Sequence, residues 1–265
     1  MTTFGLAQSL FTVDRGNNVT GDPVTAIESL AALGFRKTEL LADGVRWKRP
    51  APREAARLKT ALEHFEVDPA SIHTPIKGID LTSADSAIRR ESVGRIAEAM
   101  RFGAEMGTRT AVVHPTGKPE AQGRPYSWEN IGEAMERAHD SVSQLVQVSQ
   151  ETGVRIALEN LSGVKMKCRP LETMQELRAF IASFPSKYVG LCLDVGHSLI
   201  SGFDPAEQAR VASERLWALH LHDVDGTEDS HWVPGRGVID WDSLAQALSD
   251  IGFQGDWTLE VLVTH

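Results

Sequence analysis

The chain has few of the features that define several protein classes. Only two cysteines occur, Cys168 and Cys192, without paired spacing, which excludes a disulfide scaffold and favours a reducing cytoplasm. No stretch approaches the roughly 18 consecutive apolar residues of a membrane-spanning helix. The N-terminus lacks a basic segment followed by a long apolar one. We therefore expect a cytoplasmic protein with no signal peptide and no membrane partner.

Positive charge is also scarce. Lys and Arg total 27 against 36 Asp and Glu, so the net charge is −9. This balance offers no electrostatic footprint for nucleic acid, which is therefore not favoured as a partner. The rest of the composition is ordinary for a globular protein, with 42% hydrophobic and 24% charged residues in a chain of 265. A chain of this length can bury a sizeable core.

Short apolar runs alternate with longer helical patterns. Eight strand candidates, from "TFGLAQSLF" to "WTLEVLV", have helical segments between them and no linker. Eight βαβ-type repeats in about 250 residues predict a closed parallel barrel. A doubly wound sheet is disfavoured because "AQSLFTVDRG" has no glycine-rich fingerprint after the first strand. We predict an α/β fold, a (β/α)₈ TIM barrel, as a single domain over residues 1–265 with its last helix missing.

Residues that can bind metals gather where the predicted strands end. Active sites of such barrels lie at these C-terminal ends, and six of the nine histidines fall there. Imidazoles and carboxylates at one rim suit Zn²⁺, Mn²⁺ or a similar ion. A single Asp or Glu at a strand end is more often a helix N-cap or a salt-bridge partner than a metal ligand. The prediction of a metal site therefore depends on the whole set of residues. The candidates are His73, His114, Glu159, Asp194, His197, His220, Asp229, His231 and Glu260.

Several segments resemble one known group of proteins. "SIHTP", "AVVHP", "ALENLSG", "GLCLDVGHSLISGFD", "HLHDVDGTEDSHWVPGRGVIDW" and "TLEV" are similar to the xylose isomerase-like barrel superfamily. That superfamily includes sugar isomerases, sugar-phosphate epimerases and endonuclease IV enzymes, and the resemblance covers nearly the whole chain. Its isomerase and epimerase branch implies one divalent ion (Mn, Mg, Zn or Co) and a substrate contact from His197. The implied metal ligands are Glu159, Asp194, His220 and Glu260.

The endonuclease IV branch implies up to three zinc ions, held by the same nine candidates. The candidate ligands alone therefore do not distinguish the isomerase and epimerase branch from the endonuclease IV branch. The sequence around them has to be compared as well. "ENLSGVKMKC" stands where the repair enzymes carry an "ENTAGQG"-like segment. Arg236 stands where a glutamate is common, which either changes the supporting contacts that this loop gives the metal site or adds an anion contact. Lys165, Lys167 and Arg169 either meet a phosphate or carboxylate or form an exposed charged loop.

These observations favour a metal-dependent carbohydrate isomerase or epimerase. Glu159 and Glu260 would transfer a proton next to a carbonyl, through an enediolate that the metal stabilises as a Lewis acid. The expected partner is a small sugar or sugar phosphate, and a homo-oligomer is left open. Further substrate or metal contacts would come from His73, His114, His197, Asp229, His231 and Arg236.

Two alternatives remain. One is an endonuclease IV-like, multi-zinc phosphodiester hydrolase acting on abasic DNA. The other is a non-catalytic sugar- or metal-binding barrel, against which the paired glutamates argue, because binding alone does not need both. Three further acids of the loop after strand seven are expected to be solvated: Asp223, Asp225 and Glu228.

Overall fold

A computed structural model of the protein describes residues 4–9, 12–13, 19–20, 22–42, 47–117, 130–162 and 169–261. Eight strands form its central sheet, and we label them β1 to β8. They are Phe4–Ser9, Lys37–Leu41, Asp68–His73, Thr110–Val113, Arg155–Glu159, Val189–Asp194, Leu216–Leu221 and Asp256–Leu259.

The sheet closes into a barrel. Each strand pairs in parallel with the next, and β1 pairs with both β2 and β8, through Gly5↔Lys37 and Phe4↔Trp257. A short antiparallel pair, Thr12–Val13 with Val19–Thr20, accompanies the barrel. The predicted (β/α)₈ architecture is confirmed, so the C-terminal ends of all eight strands meet at one rim.

Within the described residues, eight α-helices, α1 to α8, accompany the strands. Local sequence explains several of their ends: the Asp22 carboxylate accepts from Val24 N at the start of α1, and Thr173 with Glu176 forms a capping box on α5. Gly107 ends α3 with a φ of 96°, which suits glycine. The helices are Pro23–Ala32, Pro52–His64, Ser86–Met106, Ile131–Thr152, Met174–Ile181, Val195–Ile200, Pro205–Ala212 and Trp241–Asp250.

Small side chains fill the barrel interior below its C-terminal rim. Val112, Ala157, Cys192 and Ala218 form one buried cluster, each at most 1% exposed. Because side chains two apart share a face of a strand, the next residues on that face are two positions further along. They are His114, Glu159, Asp194 and His220. The small residues thus form a floor, and four of the candidate ligands lie one layer above it.

Some predicted boundaries differ from the structure. The run "YVGLCLDVGH" reads as one strand with the candidate ligand Asp194 at its end. β6 does end at Asp194, but the next residues begin α6 at Val195, because the Asp194 carboxylate accepts from His197 N at 2.7 Å and caps the helix. Glu260 follows β8 rather than lying within it.

Two other expectations fall partly outside the described residues. The predicted helix cap at Ser127 lies outside them, and so do residues 262–265, so the missing last helix stays a prediction. No described helix combines the length and the apolar character that crossing a membrane requires.

Candidate metal centre

Four predicted ligands from adjacent strand ends come together at the rim. Each of Glu159, Asp194, His220 and Glu260 offers one ligand atom, and the four atoms lie within 4.8 Å of one another. The Glu159, Asp194 and His220 side chains are at most 1% exposed, and Glu260 is 23% exposed. Three carboxylates this close repel one another unless positive charge lies between them.

The buried atoms of this group fit a divalent cation. Among the described residues, Glu159 Oε2 and both ring nitrogens of His220 are buried without a hydrogen bond. Buried polar atoms of this kind are costly unless a partner satisfies them. One imidazole nitrogen and three carboxylates are suitable donors for Mn²⁺, Zn²⁺ or a related ion. These four residues, named from the sequence, can therefore hold one metal.

Supporting contacts come from two residues that the sequence interpretation missed, Glu39 and His222. Glu39 Oε1 lies 3.0 Å from His220 Nε2, and the Ser71 hydroxyl donates to Glu39 Oε2 at 2.6 Å. His222 Nε2 lies 3.0 Å from Asp194 Oδ1. All four side chains of Glu39, Ser71, His220 and His222 are fully buried. Partners of this kind orient a metal ligand and set which imidazole nitrogen carries the proton.

Two more histidines approach Glu159. His73 Nε2 and His114 Nε2 lie 3.3 and 3.1 Å from Glu159 Oε2. The Nδ1–H of His73 donates to the Thr74 carbonyl at 2.9 Å. A neutral His73 therefore directs the lone pair of its Nε2 at a carboxylate oxygen, an arrangement that needs a proton or a metal ion between them.

A second set at the rim repeats this arrangement around Asp229. His197 and His231 donate from Nδ1 to the carbonyls of Asn160 and Glu260, at 3.0 and 2.8 Å. His197 Nε2 lies 3.3 Å from Asp229 Oδ2, and His231 Nε2 lies 3.3 Å from Asp229 Oδ1. His231 has a φ of 48°, in the left-handed region that non-glycine residues rarely adopt.

His222 connects the two sets. Its ring stacks on His231, with centroids 4.1 Å apart and planes 12° apart, and with Asp229 these residues form a further group that could hold a metal. Gly196 is required beneath it, because a Cβ at that position would come within 2.0 Å of the His222 ring. The signal for His222 was its spacing two residues after His220.

The electrostatics keep both glutamates ionised. Burial opposes ionisation of Glu260, but His220 outweighs it and lowers the pKa of Glu260 to about 2. Burial likewise opposes ionisation of Glu159, yet His114 and His220 hold the pKa of its carboxyl well below the usual range. Both carboxylates are therefore available as metal ligands or as bases at neutral pH.

The histidine pKa values respond to the same contacts. Burial alone would lower the pKa of His73 and of His231, but Glu159 raises the pKa of His73 to about 9 and Asp229 raises the pKa of His231 to about 9. The pKa of His114 is lowered, chiefly by burial. Protons on His73 and His231 balance the carboxylates of the metal-free protein, and metal binding would displace them.

The acids of the loop after β7 have two different roles. Asp223, expected to be solvated, is fully buried, and that expectation was wrong. Its carboxylate accepts from Gly235 N at 2.8 Å, Ile239 N at 3.2 Å and Trp241 Nε1 at 3.0 Å, so it ties the two ends of the loop together. Asp225 and Glu228 are exposed as expected.

The basic residues predicted to contact an anion do not all lie at the cavity. Arg236 is exposed, with its guanidinium 5.3 Å from the centre of the Trp232 ring, and it is not among the residues that line the cavity. Lys165 and Lys167 lie outside the described residues. Arg169 is only 9% exposed and does line the cavity.

The cavity itself has a volume of about 210 Å³ and opens above the metal group. It is large enough for a small ligand and combines polar groups with a few apolar side chains. The lining residues are Leu41, His73, Ile76, His114, Glu159, Leu161, Ser162, Arg169, His197, Asp229, His231 and Glu260.

A closed (β/α)₈ barrel with carboxylates and imidazoles at its C-terminal rim defines a class of barrels suited to metal binding. The profile of the xylose isomerase-like TIM barrel family matches residues 27–263. The chain belongs to this family, which confirms the resemblance seen in its sequence.

Several relatives show the range of the family. An uncharacterised protein of Methanocaldococcus jannaschii is 25% identical over 240 residues, covering 89% of this chain and 78% of that protein. A D-psicose 3-epimerase of Enterocloster bolteae is 32% identical over 127 residues, 48% of this chain and 40% of the epimerase. A probable endonuclease 4 of Thermoplasma acidophilum is 24% identical over 226 residues, 79% of this chain and 74% of the relative.

Solved structures share the fold. A D-psicose 3-epimerase crystallised in the presence of D-fructose superposes with a TM-score of 0.81 at 20% identity, covering 99% of this chain and 86% of that one. A family 2 AP endonuclease of Brucella melitensis superposes with a TM-score of 0.74 at 16% identity, covering 98% of this chain and 93% of that one. At these identities the likeness concerns the fold. The relatives with a named activity thus include both a sugar epimerase and a probable endonuclease.

Proposed function

We propose that the protein is a divalent-metal-dependent isomerase or epimerase of a ketose or related sugar. One observation carries this proposal: of the four residues that can hold the metal, the two glutamates also line the cavity, whereas Asp194 and His220 do not. Glu159 and Glu260 are therefore able to contact both the metal and a bound substrate. The D-psicose 3-epimerase relative supports the same class of reaction.

The chemistry follows from these positions. A metal held by Glu159, Asp194, His220 and Glu260 would supply Lewis-acid polarisation of the substrate's carbonyl and hydroxyl oxygens. Glu159 and Glu260 come from β5 and the end of β8. One glutamate, as a carboxylate, would take the proton from the carbon next to the carbonyl. The other would enter the step as the carboxylic acid and return its proton from its own side, and exchange with solvent would then restore both groups. His197, at the cavity wall, would orient a substrate oxygen.

Solvent exchange tests this proposal directly. Purified protein is loaded with Mn²⁺ and incubated in D₂O with D-fructose, D-tagatose and D-psicose and with phosphorylated and carboxylated ketoses. We expect NMR to show deuterium entering beside the carbonyl of at least one sugar, together with formation of an epimer or isomer. The exchange should stop in protein stripped by a chelator and return with Mn²⁺. Absence of metal-dependent exchange with every sugar in this panel would reject the proposal.

A second function has support from the remaining ligand groups. Besides the four-residue group, the described residues contain three further groups that could each hold an ion: His73 with His114 and Glu159, His73 with His220 and Glu260, and His222 with Asp229 and His231. More than one ion is what a multi-zinc phosphodiester hydrolase would need, and the probable endonuclease 4 relative points the same way.

Metal content and DNA cleavage test the second function. Elemental analysis of purified protein should give one metal per chain for the isomerase or epimerase. Three zinc ions per chain, together with nicking of abasic-site DNA, would instead establish the hydrolase. The net charge of −9 argues against a DNA substrate.

A further inference from the structure

Arg169 brings a permanent positive charge to the wall of the cavity. Among the described lining residues it is the one Lys or Arg, and its side chain is buried against the cavity rather than extended into solvent. We propose that the substrate carries an anionic group, a carboxylate or a phosphate, which Arg169 binds. This inference rests on the proposed function, because it names the kind of sugar that the same site would take.

A neighbouring contact fixes the direction of the guanidinium. Arg169 Nη1 donates to the carbonyl of Ser162 at 3.1 Å, and Ser162 lines the cavity only three positions after Glu159. The group is therefore anchored close to the strand that supplies a metal ligand. A planar guanidinium can present two N–H groups to one carboxylate or phosphate, which a neutral sugar hydroxyl does not match.

The cavity carboxylates already have imidazole partners. Glu159 is approached by His114 at 3.1 Å, Asp229 by His197 and His231 at 3.3 Å, and Glu260 by His220 at 3.2 Å. Arg169 adds its permanent positive charge beside these pairs, at the wall of the same cavity. It acts on His114, whose lowered pKa it helps to maintain. An anion in the cavity would gain from the same charge.

A structural role for Arg169 would involve Glu172. The charge of Arg169 favours ionisation of Glu172, whose pKa is nevertheless raised, first by burial and then by Glu176. If Arg169 served only to pair with Glu172, then removing either residue would have the same effect on the site. This makes Glu172→Gln a matched control, since Glu172 does not line the cavity.

Turnover comparisons give the first test. D-fructose, D-fructose 6-phosphate and D-fructuronate differ in the group at the end of the sugar: a hydroxyl, a phosphate or a carboxylate. We expect kcat/KM for one anionic sugar to exceed that for D-fructose by at least tenfold. Arg169→Met should cut kcat/KM for that sugar by about 10- to 100-fold, as expected for lost charge-assisted hydrogen bonds, and lower the anionic-to-neutral ratio. Arg169→Lys should fall between, and Glu172→Gln should keep the wild-type ratio.

A binding measurement separates this inference from the proposed function. Inorganic phosphate and D-gluconate are titrated calorimetrically into Mn²⁺-loaded and metal-stripped protein. At least one should bind the stripped protein about tenfold more weakly when Arg169 is replaced by Met. Arg169-dependent binding without exchange of any ketose would reject the proposed function and keep the anion site.

Three results would overturn the anion site. The first is turnover of D-fructose at least as efficient as turnover of both anionic sugars. The second is anion binding that is indifferent to Arg169→Met in a variant whose circular dichroism matches the wild type. The third is a Glu172→Gln variant that loses the preference as fully as Arg169→Met does.

Discussion

Charged side chains are paired differently at the two rims of the barrel. At the N-terminal rim, side chains of opposite sign are paired: Lys37 lies 2.9 Å from Asp256, and Arg109 contacts both oxygens of Asp68 at 2.9 and 2.8 Å. Arg155 covers the Trp217 ring at 4.4 Å. These charges satisfy one another within the protein.

At the C-terminal rim, carboxylates meet other carboxylates and the Nε2 atoms of histidines. The Nδ1–H groups of His73, His197 and His231 are already used on backbone carbonyls. The arrangement is balanced only when protons or metal ions are added. The comparison shows that the charges of the N-terminal rim are paired within the protein, whereas the C-terminal rim has ligand atoms left for protons or metal ions, at the end where barrels of this fold place their active sites.

Neutralising one glutamate of the C-terminal rim should have the largest effect. We expect Glu159→Gln and Glu260→Gln, at saturating Mn²⁺, to lower the rate of ketose proton exchange by about 10²- to 10⁴-fold, the usual range for loss of an acid–base group. Both variants should fold, because Gln keeps the shape and removes one of three neighbouring negative charges. The exposed Glu228→Gln is the matched control and should stay within about twofold. Near-wild-type exchange in either site variant would remove that residue from the mechanism.

The contact beneath the ligands should matter next. Because Glu39 lies 3.0 Å from His220 Nε2, it favours the tautomer that leaves Nδ1 for the metal. Loss of such a partner typically costs about 10- to 100-fold in metal affinity. We expect the Mn²⁺ affinity, measured by calorimetry, to fall about 10-fold in Glu39→Gln and about 100-fold in Glu39→Met. Ser71→Ala, which removes only the hydroxyl that holds Glu39, should cost less. Unchanged affinity in Glu39→Met would show that His220 is oriented by other contacts.

Much of the C-terminal rim could be predicted because the barrel repeats its pattern. Strand ends are visible in sequence, and fold geometry brings them together, so Glu159, Asp194, His220 and Glu260 were identifiable without coordinates. Their roles as metal ligands remain predictions. Glu39 was not identifiable, since one acid within "KTELL" is also what a strand with one solvated face contains.

The loop after β7 shows a different limit. Its acids look alike in sequence, yet Asp223 is buried by contacts to residues 12 to 18 positions away. Those contacts depend on how the loop turns back towards α8, which no local pattern records. Likewise, "YVGLCLDVGH" reads as a single run because the residues of β6 pass without a break into those of α6.

Asp223 gives a prediction about stability at the C-terminal rim. In the wild type, backbone donors meet a carboxylate oxygen of Asp223, whereas Asp223→Asn presents an amide N–H₂ to some of them. We therefore expect the free energy of unfolding, measured in urea at pH 7, to fall by about 2–3 kcal/mol. Hydrogen bonds from Trp241, Gly237, Ile239 and Gly235 outweigh burial and lower the pKa of Asp223. A lowered pKa stabilises the fold above the unfolded-state value of about 3.9. The difference between variant and wild type should therefore hold from pH 7 to 5 and shrink below about pH 4.

Asp225→Asn is the control for that measurement. Asp225 lies in the same loop and also accepts three hydrogen bonds, from Thr227 N, Thr227 Oγ1 and Glu228 N, but it is exposed. Water can replace those contacts, so its loss of stability should be much smaller. Equal losses in the two variants would mean that burial of Asp223 does not set its importance.

The smallest effect is expected at the N-terminal rim. Asp68→Asn removes the carboxylate that Arg109 contacts, but these side chains are 38% and 50% exposed. Exposed pairs of this kind contribute less than about 1 kcal/mol, so urea unfolding should shift only slightly. Mn²⁺ affinity and ketose exchange should not change, because the pair lies at the opposite end of the strands from the metal group. A substantial loss of Mn²⁺ affinity would show that the strands transmit changes between the rims, and the separation between the internally paired rim and the rim with the candidate ligands would no longer hold.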